Sequence, residues 1–371
     1  MPSRRFDVSI EELTSREAAA YSQQPGITAA APVMPMRLIA PSSVEHISGD
    51  LDLIDPTSWA FATTRVTSSP FTGADVAVGI LDTGIDASHP AFAGIQIEQM
   101  DFTGEGVGDR HGHGTHCAGT IFGRPVGGVR IGVAPGVSKV CVAKVLDAEG
   151  TGTTEGIVRG IAWCLQQRVA IVNMSLGIDF TRRIETLGAS GMPTHAATSQ
   201  ALRDYQLTVD LFNKLGAVME AGAVYEGGAI IIAAAGNESG GNRIPPYRLW
   251  ASPPASAHHV IGVAAIGRSA DAMGNFPLAP FSNWGVELAA PGVGIVSAVP
   301  GGGLCSMDGT SMAAPHVAGV AALWAQKLAL GSARLDVRLL KTRLLGSASC
   351  DRLAEDSRDQ LGFGLVSAPA K

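Results

Sequence analysis

The sequence has no apolar run of membrane-spanning length, and residues 1–12 carry Arg4 and Arg5 with no apolar stretch behind them. No membrane partner is expected, no secretory leader is visible, and the expected location is the cytoplasm, or outside the cell if the chain has been trimmed. Aromatic residues make up 5% of the chain, the basic residues are scattered and the net charge is -6, which argues against a nucleic-acid partner. Five cysteines, Cys117, Cys141, Cys164, Cys305 and Cys350, occur without C-x-x-C spacing. So dispersed and odd a set supports neither a disulfide frame nor a zinc site and reads as reduced, mostly buried thiols. Charged residues are also sparse, at 16% against 46% hydrophobic, so 371 residues can bury one large core. Nothing points to an oligomer, and a monomer is the default.

From Ala74 onward, continuous apolar runs alternate with helical periods. Residues 76–81, 137–145, 170–175, 229–235 and 260–266 read as strands, with shorter ones near Glu287 and Ile295; residues 155–167, 200–222 and 317–330 read as helices. This rhythm predicts an α/β fold: a mainly parallel central sheet with helices on both faces and its chemistry at the carboxyl ends of the strands. Ahead of it, residues 9–24 read as a helix capped by Ser9 with Glu12 three residues on, ended by Pro25-Gly26. Residues 27–38 suggest a strand pair broken by prolines, and a short helix is expected around Trp59. The first forty-odd residues form a small appendage.

Four segments carry chemistry. The strand 76–81 runs straight into Asp82-Thr83-Gly84, which sets a carboxylate at a strand's carboxyl end, although Asp-x-Gly after a strand is often only a turn. His111-Gly112-His113-Gly114-Thr115-His116-Cys117 opens a small-residue helix. Its His-x-His-x-x-His spacing could wrap zinc, but Thr115 stands where that shell wants an Asp and no later His/Asp cluster completes it. Gly236-Asn237-Glu238 ends the strand 229–235, where an Asn side chain can donate N–H into an apolar cleft. Gly309-Thr310-Ser311-Met312-Ala313-Ala314-Pro315 places a serine at a helix start, where free backbone N–H groups can meet the negative charge of an attacked carbonyl. A serine before a helix is most often only an N-cap.

Together, Asp82, His113, Asn237 and Ser311, each beside glycines, resemble the signature blocks of the subtilisin-like serine proteases, in that family's Asp, His, Ser chain order. The likeness runs from about Pro70 to Ala368. It implies a three-layer subtilisin-like fold and a serine endopeptidase with no required cofactor, acting on peptides or proteins. In that reading Ser311 is the nucleophile, His113 the general base and Asp82 its partner, with the Ser311 N–H and the Asn237 amide receiving the oxyanion. His111 and His116 are left without a catalytic role, the first as a loop residue and the second as a structural one. Cys117 after His116 is similar to the proteinase K branch, where a cysteine lies under the catalytic histidine.

The resemblance also implies the substrate cleft. Ser175-Leu176-Gly177 would line the pocket for the residue before the scissile bond, with Ala234, Ala235 and Gly236 as the opposite wall and Ser252 near its base. Gly150-Thr151-Gly152 would pair with an extended peptide as an added strand. Small walls predict a pocket open to large apolar side chains, with Glu238 at its rim to help a basic one. Thr154 stands where relatives often carry a bulkier group, which suggests a roomier subsite. Ile178 replaces a second glycine, and residues 179–199 read as an inserted surface loop near the cleft. Residues 122–128 lack the Asn-rich loop that supplies calcium in many relatives, so the usual structural calcium site is not evident and no metal-ligand set is assigned. Residues 1–45 resemble a reduced prodomain that stays attached, and residues 46–371 the catalytic domain. Two other readings share the scaffold: a transpeptidase or macrocyclase with 179–199 as its lid, and a non-catalytic peptide-binding module, which would normally have lost a triad residue.

Overall fold

The computed structural model describes residues 8–47, 58–222, 228–268, 275–330, 334–358 and 360–371. In chain order its elements are α1 (Ser15–Tyr21), β1 (Pro35–Leu38), β2 (Ser43–His46), α2 (Ser58–Thr63), β3 (Ala77–Asp82), β4 (Gln96–Asp101), α3 (His113–Phe122), β5 (Lys139–Lys144) and β6 (Thr151–Thr153). There follow α4 (Thr154–Gln166), β7 (Ile171–Met174), β8 (Leu176–Ile178), α5 (Phe180–Ala189), α6 (Thr194–Gly222), β9 (Ile230–Ala234) and β10 (Val260–Ile266). The last third holds β11 (Val286–Pro291), β12 (Ile295–Val299), β13 (Gly303–Asp308), α7 (Thr310–Ala329), α8 (Val337–Gly346), α9 (Glu355–Arg358) and β14 (Leu361–Leu365).

Eight strands form the central sheet in the order β14-β11-β10-β9-β7-β3-β5-β4, and every neighbouring pair is parallel. The strands read as continuous apolar runs because both faces are covered. Their side chains still alternate: Val78, Ile80, Ile171, Ile230, Ile232 and Ile261 join the cluster that holds the inner faces of α3 and α7. Leu81, Val172, Ile231, Ala233 and Val260 join the cluster that holds α4 and α6. This is the three-layer α/β arrangement the alternation of elements predicted. After β5 the chain crosses over β3 to lay down β7, so the order reverses beside β3, and the cleft opens at the carboxyl end of that strand.

Several local expectations change. The first helix starts at Ser15, because Thr14 and Glu17, rather than Ser9 and Glu12, close the capping box. One strand, β1, forms within 27–38 in place of a pair. Residues 179–199 are not an extended surface loop but α5 and the first turns of α6. Asp179 caps α5 by accepting the Arg182 N–H at 3.0 Å, and Arg183 Nε donates to Asp204 of α6 at 2.8 Å, bonds that a count of glycines and prolines does not reveal. The last long helix begins at Thr310, seven residues before the apolar period from Val317, so Pro315 lies inside it.

Candidate active site

Asp82 is the last residue of β3 and His113 the first of α3. Gly114 lets these elements meet, since a Cβ there would stand 2.1 Å from the Gly84 carbonyl oxygen and 3.2 Å from the Asp82 Cβ. The resulting pair is fully buried: His113 Nδ1 donates to Asp82 Oδ1 at 2.8 Å, and the same oxygen accepts the Thr83 N–H at 2.8 Å. Burial disfavours the imidazolium, yet the Asp82 carboxylate, the nearby Cys117 thiol and their hydrogen bonds more than offset this and raise the His113 pKa well above its usual value. With Nδ1 holding the proton toward Asp82, Nε2 is the free base nitrogen, and it has no hydrogen-bond partner.

A residue that sequence reasoning missed joins the two halves of this pair. Asp109 Oδ1 accepts the Thr83 hydroxyl at 2.9 Å and the N–H groups of His111 and Gly112 at 3.0 and 2.8 Å; Oδ2 accepts Thr115 N–H at 2.8 Å and its hydroxyl at 2.6 Å. Burial would raise this carboxyl's pKa, but the hydrogen bonds from Thr115, Gly112 and Thr83 win and lower it. The only signal in the sequence is an Asp four residues before His113, which also describes many turns. Lys144, buried at the end of β5, donates to the carbonyls of Thr83 and Leu146 at 2.9 and 3.1 Å and steadies the same turn.

Ser311 lies in the first turn of α7, where its N–H has no intrahelical partner. Pro315 has no N–H to give to the carbonyl four residues back, so the Ser311 carbonyl is free for other donors. It takes Cys117 Sγ at 3.3 Å and Ser175 Oγ at 3.3 Å. Cys117 Sγ is also 3.8 Å from His113 Nδ1, so one thiol touches both the helix of the histidine and that of the serine. Asn237 Oδ1 accepts the N–H and hydroxyl of Thr310, both at 2.9 Å, which fixes the amide so that its Nδ2 faces the cleft.

The cleft is filled by the chain's own amino-terminal segment. Strand β1 lies between β6 and β8, antiparallel to both. Met36 is opposite Gly152 and Ile178, Arg37 opposite Thr151 and Gly177, and Leu38 opposite Leu176. Leu38 N–H donates to Gly150 O at 2.7 Å and Ile39 N–H reaches Ser175 O at 3.4 Å. A Cβ on Gly177 would lie 3.0 Å from Ser252 Oγ and 3.7 Å from Ile39 Cγ1, so Ile39 sits against the floor expected of the first pocket. Ala234 shares the apolar cluster of Ile39, whereas Ala235 faces the other cluster; Gly236, at φ +115°, donates its N–H to Thr310. Thr154 does not simply leave room: its hydroxyl accepts Met34 N–H and its N–H donates to Met34 O, both at 3.0 Å. Beyond Pro41 the chain continues as β2, paired antiparallel with β13.

At the reacting end this strand takes up the polar groups. Ser311 Oγ donates to Ile39 O at 2.9 Å, while Asn237 Nδ2 donates to Ala40 O at 2.8 Å, one carbonyl further on. The hydroxyl is therefore turned to the strand, and His113 Nε2 is left alone. His111 is a loop residue whose ring meets His113 edge-on at 6.3 Å between centroids. His116 is buried with Nε2 on the carbonyls of Ile295 and Cys305; its Nδ1 is unpartnered, and burial, with His113 nearby, lowers its pKa to about 3. His113 and His116 thus serve separate partners. Glu238 reaches two places: one carboxylate oxygen lies against Gly236 of the first pocket's wall, where a Cβ would stand 2.6 Å away, and the other pairs with Arg37, two residues before Ile39, at 3.0 Å.

A family model described as the subtilase family matches residues 73–364. A subtilisin-like protease of Coccidioides posadasii is 36% identical over 298 residues, 78% of this chain and 61% of that protein. Subtilisin-like protease 1 of Arthroderma otae is 34% identical over 349 residues, 89% of this chain and 57% of that protein, so the chain spans about three fifths of these relatives' length. Among solved structures, a cold-adapted subtilisin-like serine proteinase is similar at 28% identity and a TM-score of 0.57, covering 84% of this chain and 98% of that one.

Proposed function

The chain belongs to the subtilase family, and on that premise we propose that it is a serine endopeptidase that hydrolyses peptide bonds in peptides or proteins through an acyl-enzyme on Ser311. The observation that carries the reading is the buried Asp82–His113 pair with Nε2 unengaged, beside a serine whose hydroxyl already contacts a peptide carbonyl held in an added strand. With the cleft open, the Ser311 hydroxyl turns to His113 Nε2. The imidazole accepts its proton as Oγ attacks, then gives that proton to the leaving amine, and Asp82 holds the tautomer and stabilises the charged ring. The oxyanion is received by the Ser311 N–H and by Asn237 Nδ2, whose orientation Thr310 fixes. Water then repeats the sequence on the ester. Each step uses this chain's own groups and no cofactor.

Residues 34–41 act in this reading as an attached inhibitor. They use the strand-pairing edges of a substrate, but they direct Asn237 to Ala40 O while Ser311 contacts Ile39 O, so neither carbonyl receives both groups. A transpeptidase needs a lid over the acyl-enzyme; residues 179–199 are helical, with α5 docked on α6, and no observation favours that reaction. Among the described residues no helix is long and apolar enough to cross a membrane. That fact assigns no location, and nothing supports the expected cytoplasmic one.

The test is incubation of the full chain with a fluorophosphonate probe and a peptide library. Labelling of Ser311 with hydrolysed products is the expected result. Labelling that persists in Ser311→Ala, or cyclised products in place of hydrolysed ones, would overturn the assignment.

A further inference from the structure

The geometry points to Glu238 as a specificity-determining residue that selects a basic side chain two positions before the first-pocket residue, so that the preferred substrates have the order large apolar, basic, apolar, aliphatic. This rests on the peptidase reading above and names its substrate class.

Along the bound segment, Met34, Met36, Leu38 and Ile39 are buried and Arg37 is exposed. The buried positions are selected by shape and apolar area. At the exposed position, opposite Gly177, little packing is available, and the discriminating contact is charge: Arg37 Nη2 meets Glu238 Oε1 at 3.0 Å. The carboxylate is held before any substrate arrives. Its other oxygen accepts Asn283 Nδ2 at 2.8 Å, and the buried Asn283 is itself fixed by Ser239 Oγ at 2.9 Å and by its N–H to Gly236 O at 3.0 Å. Glu238 also follows Asn237 directly, so the group that reads the side chain and the amide proposed for the oxyanion share one turn. An acidic residue at that substrate position would face Glu238 and be disfavoured. Because the pair is nearly half exposed on both sides, the preference is moderate: about two- to fivefold for Arg over a neutral residue, and a larger margin over Glu.

The experiment uses the full chain and peptides carrying Met-Xaa-Leu-Ile, with Xaa as Arg, Gln or Glu, read as ratios of kcat/KM. In parallel, hydrogen exchange of residues 34–41 is followed in Arg37→Glu, in Glu238→Arg and in the double reversal. The expected result is Arg favoured over Gln over Glu, a flat series in Glu238→Gln, and an inverted one in Glu238→Arg. Exchange should quicken in each single reversal and return toward the parent in the double. Peptides cut with a flat series in the unaltered chain would overturn the proposal while the peptidase reading stands. If none is cut, even by a chain whose strand is displaced by Met36→Asp, that reading fails. Exchange then decides the charge recognition, upheld by restoration in the double reversal and overturned by unchanged singles.

Discussion

The framework that carries Asp82, His113, Asn237 and Ser311 and the strand that fills the cleft in front of them are held by different forces. The framework is a parallel sheet buried on both faces, and its polar site residues are fixed by several bonds each, as Asp109 and Thr310 illustrate. Strand β1 is four residues long, held at its edges by backbone pairing and by a few side chains in pockets. A framework of that kind cannot move without losing core packing. A short added strand can leave and lose only its own contacts. That difference is what a self-inhibited peptidase needs.

The comparison breaks first at Ser311. Ser311→Ala should lower peptide hydrolysis by at least about a thousandfold while the melting temperature changes little, because the nucleophile is lost and the framework is not. A melting shift of many degrees would mean that the hydroxyl is chiefly structural. The strand side is tested by Met36→Asp, which puts a carboxylate into a fully buried position of β1. Desolvation should expel the strand and speed fluorophosphonate labelling by about ten- to a hundredfold. An unchanged rate would show that the strand does not gate the cleft.

Acid titration tests the framework alone. As a base His113 must be neutral, so kcat/KM should rise about tenfold per pH unit and flatten at a midpoint above about 6.5, since Asp82 and Cys117 raise its pKa against the effect of burial. The sign for stability is opposite: with the folded pKa raised, the charged pair's contribution is full below the unfolded value and is lost as pH rises through the folded one. A midpoint below 6 would contradict the pairing.

The smallest effect belongs to His316 in α7, whose Nδ1–H donates to Met312 O at 2.8 Å and whose pKa burial lowers to about 4. Here the folded pKa is depressed, so stability is held above about 6.5 and declines as pH falls toward 4, by up to about 1.4 kcal/mol per unit. Replacing it, His316→Gln, should flatten the fall in melting temperature between pH 6.5 and 4.5 by a few degrees, measured by calorimetry against the parent chain.

By itself the sequence determined the sheet and most of the site. Strands buried on both faces must be continuous apolar runs, and residues that touch one peptide bond must sit beside glycines at strand ends and helix starts, so both left marks in the order of residues. Tertiary structure alone decided that residues 34–41 occupy the cleft, that Asp109 binds Thr83 to Thr115, and that Glu238 pairs with Arg37. The physical reason is common to all three. Backbone pairing, carboxylate acceptance and an exposed ion pair each accept many partners, so the residue type is legible in the chain while the partner is chosen only when distant segments meet.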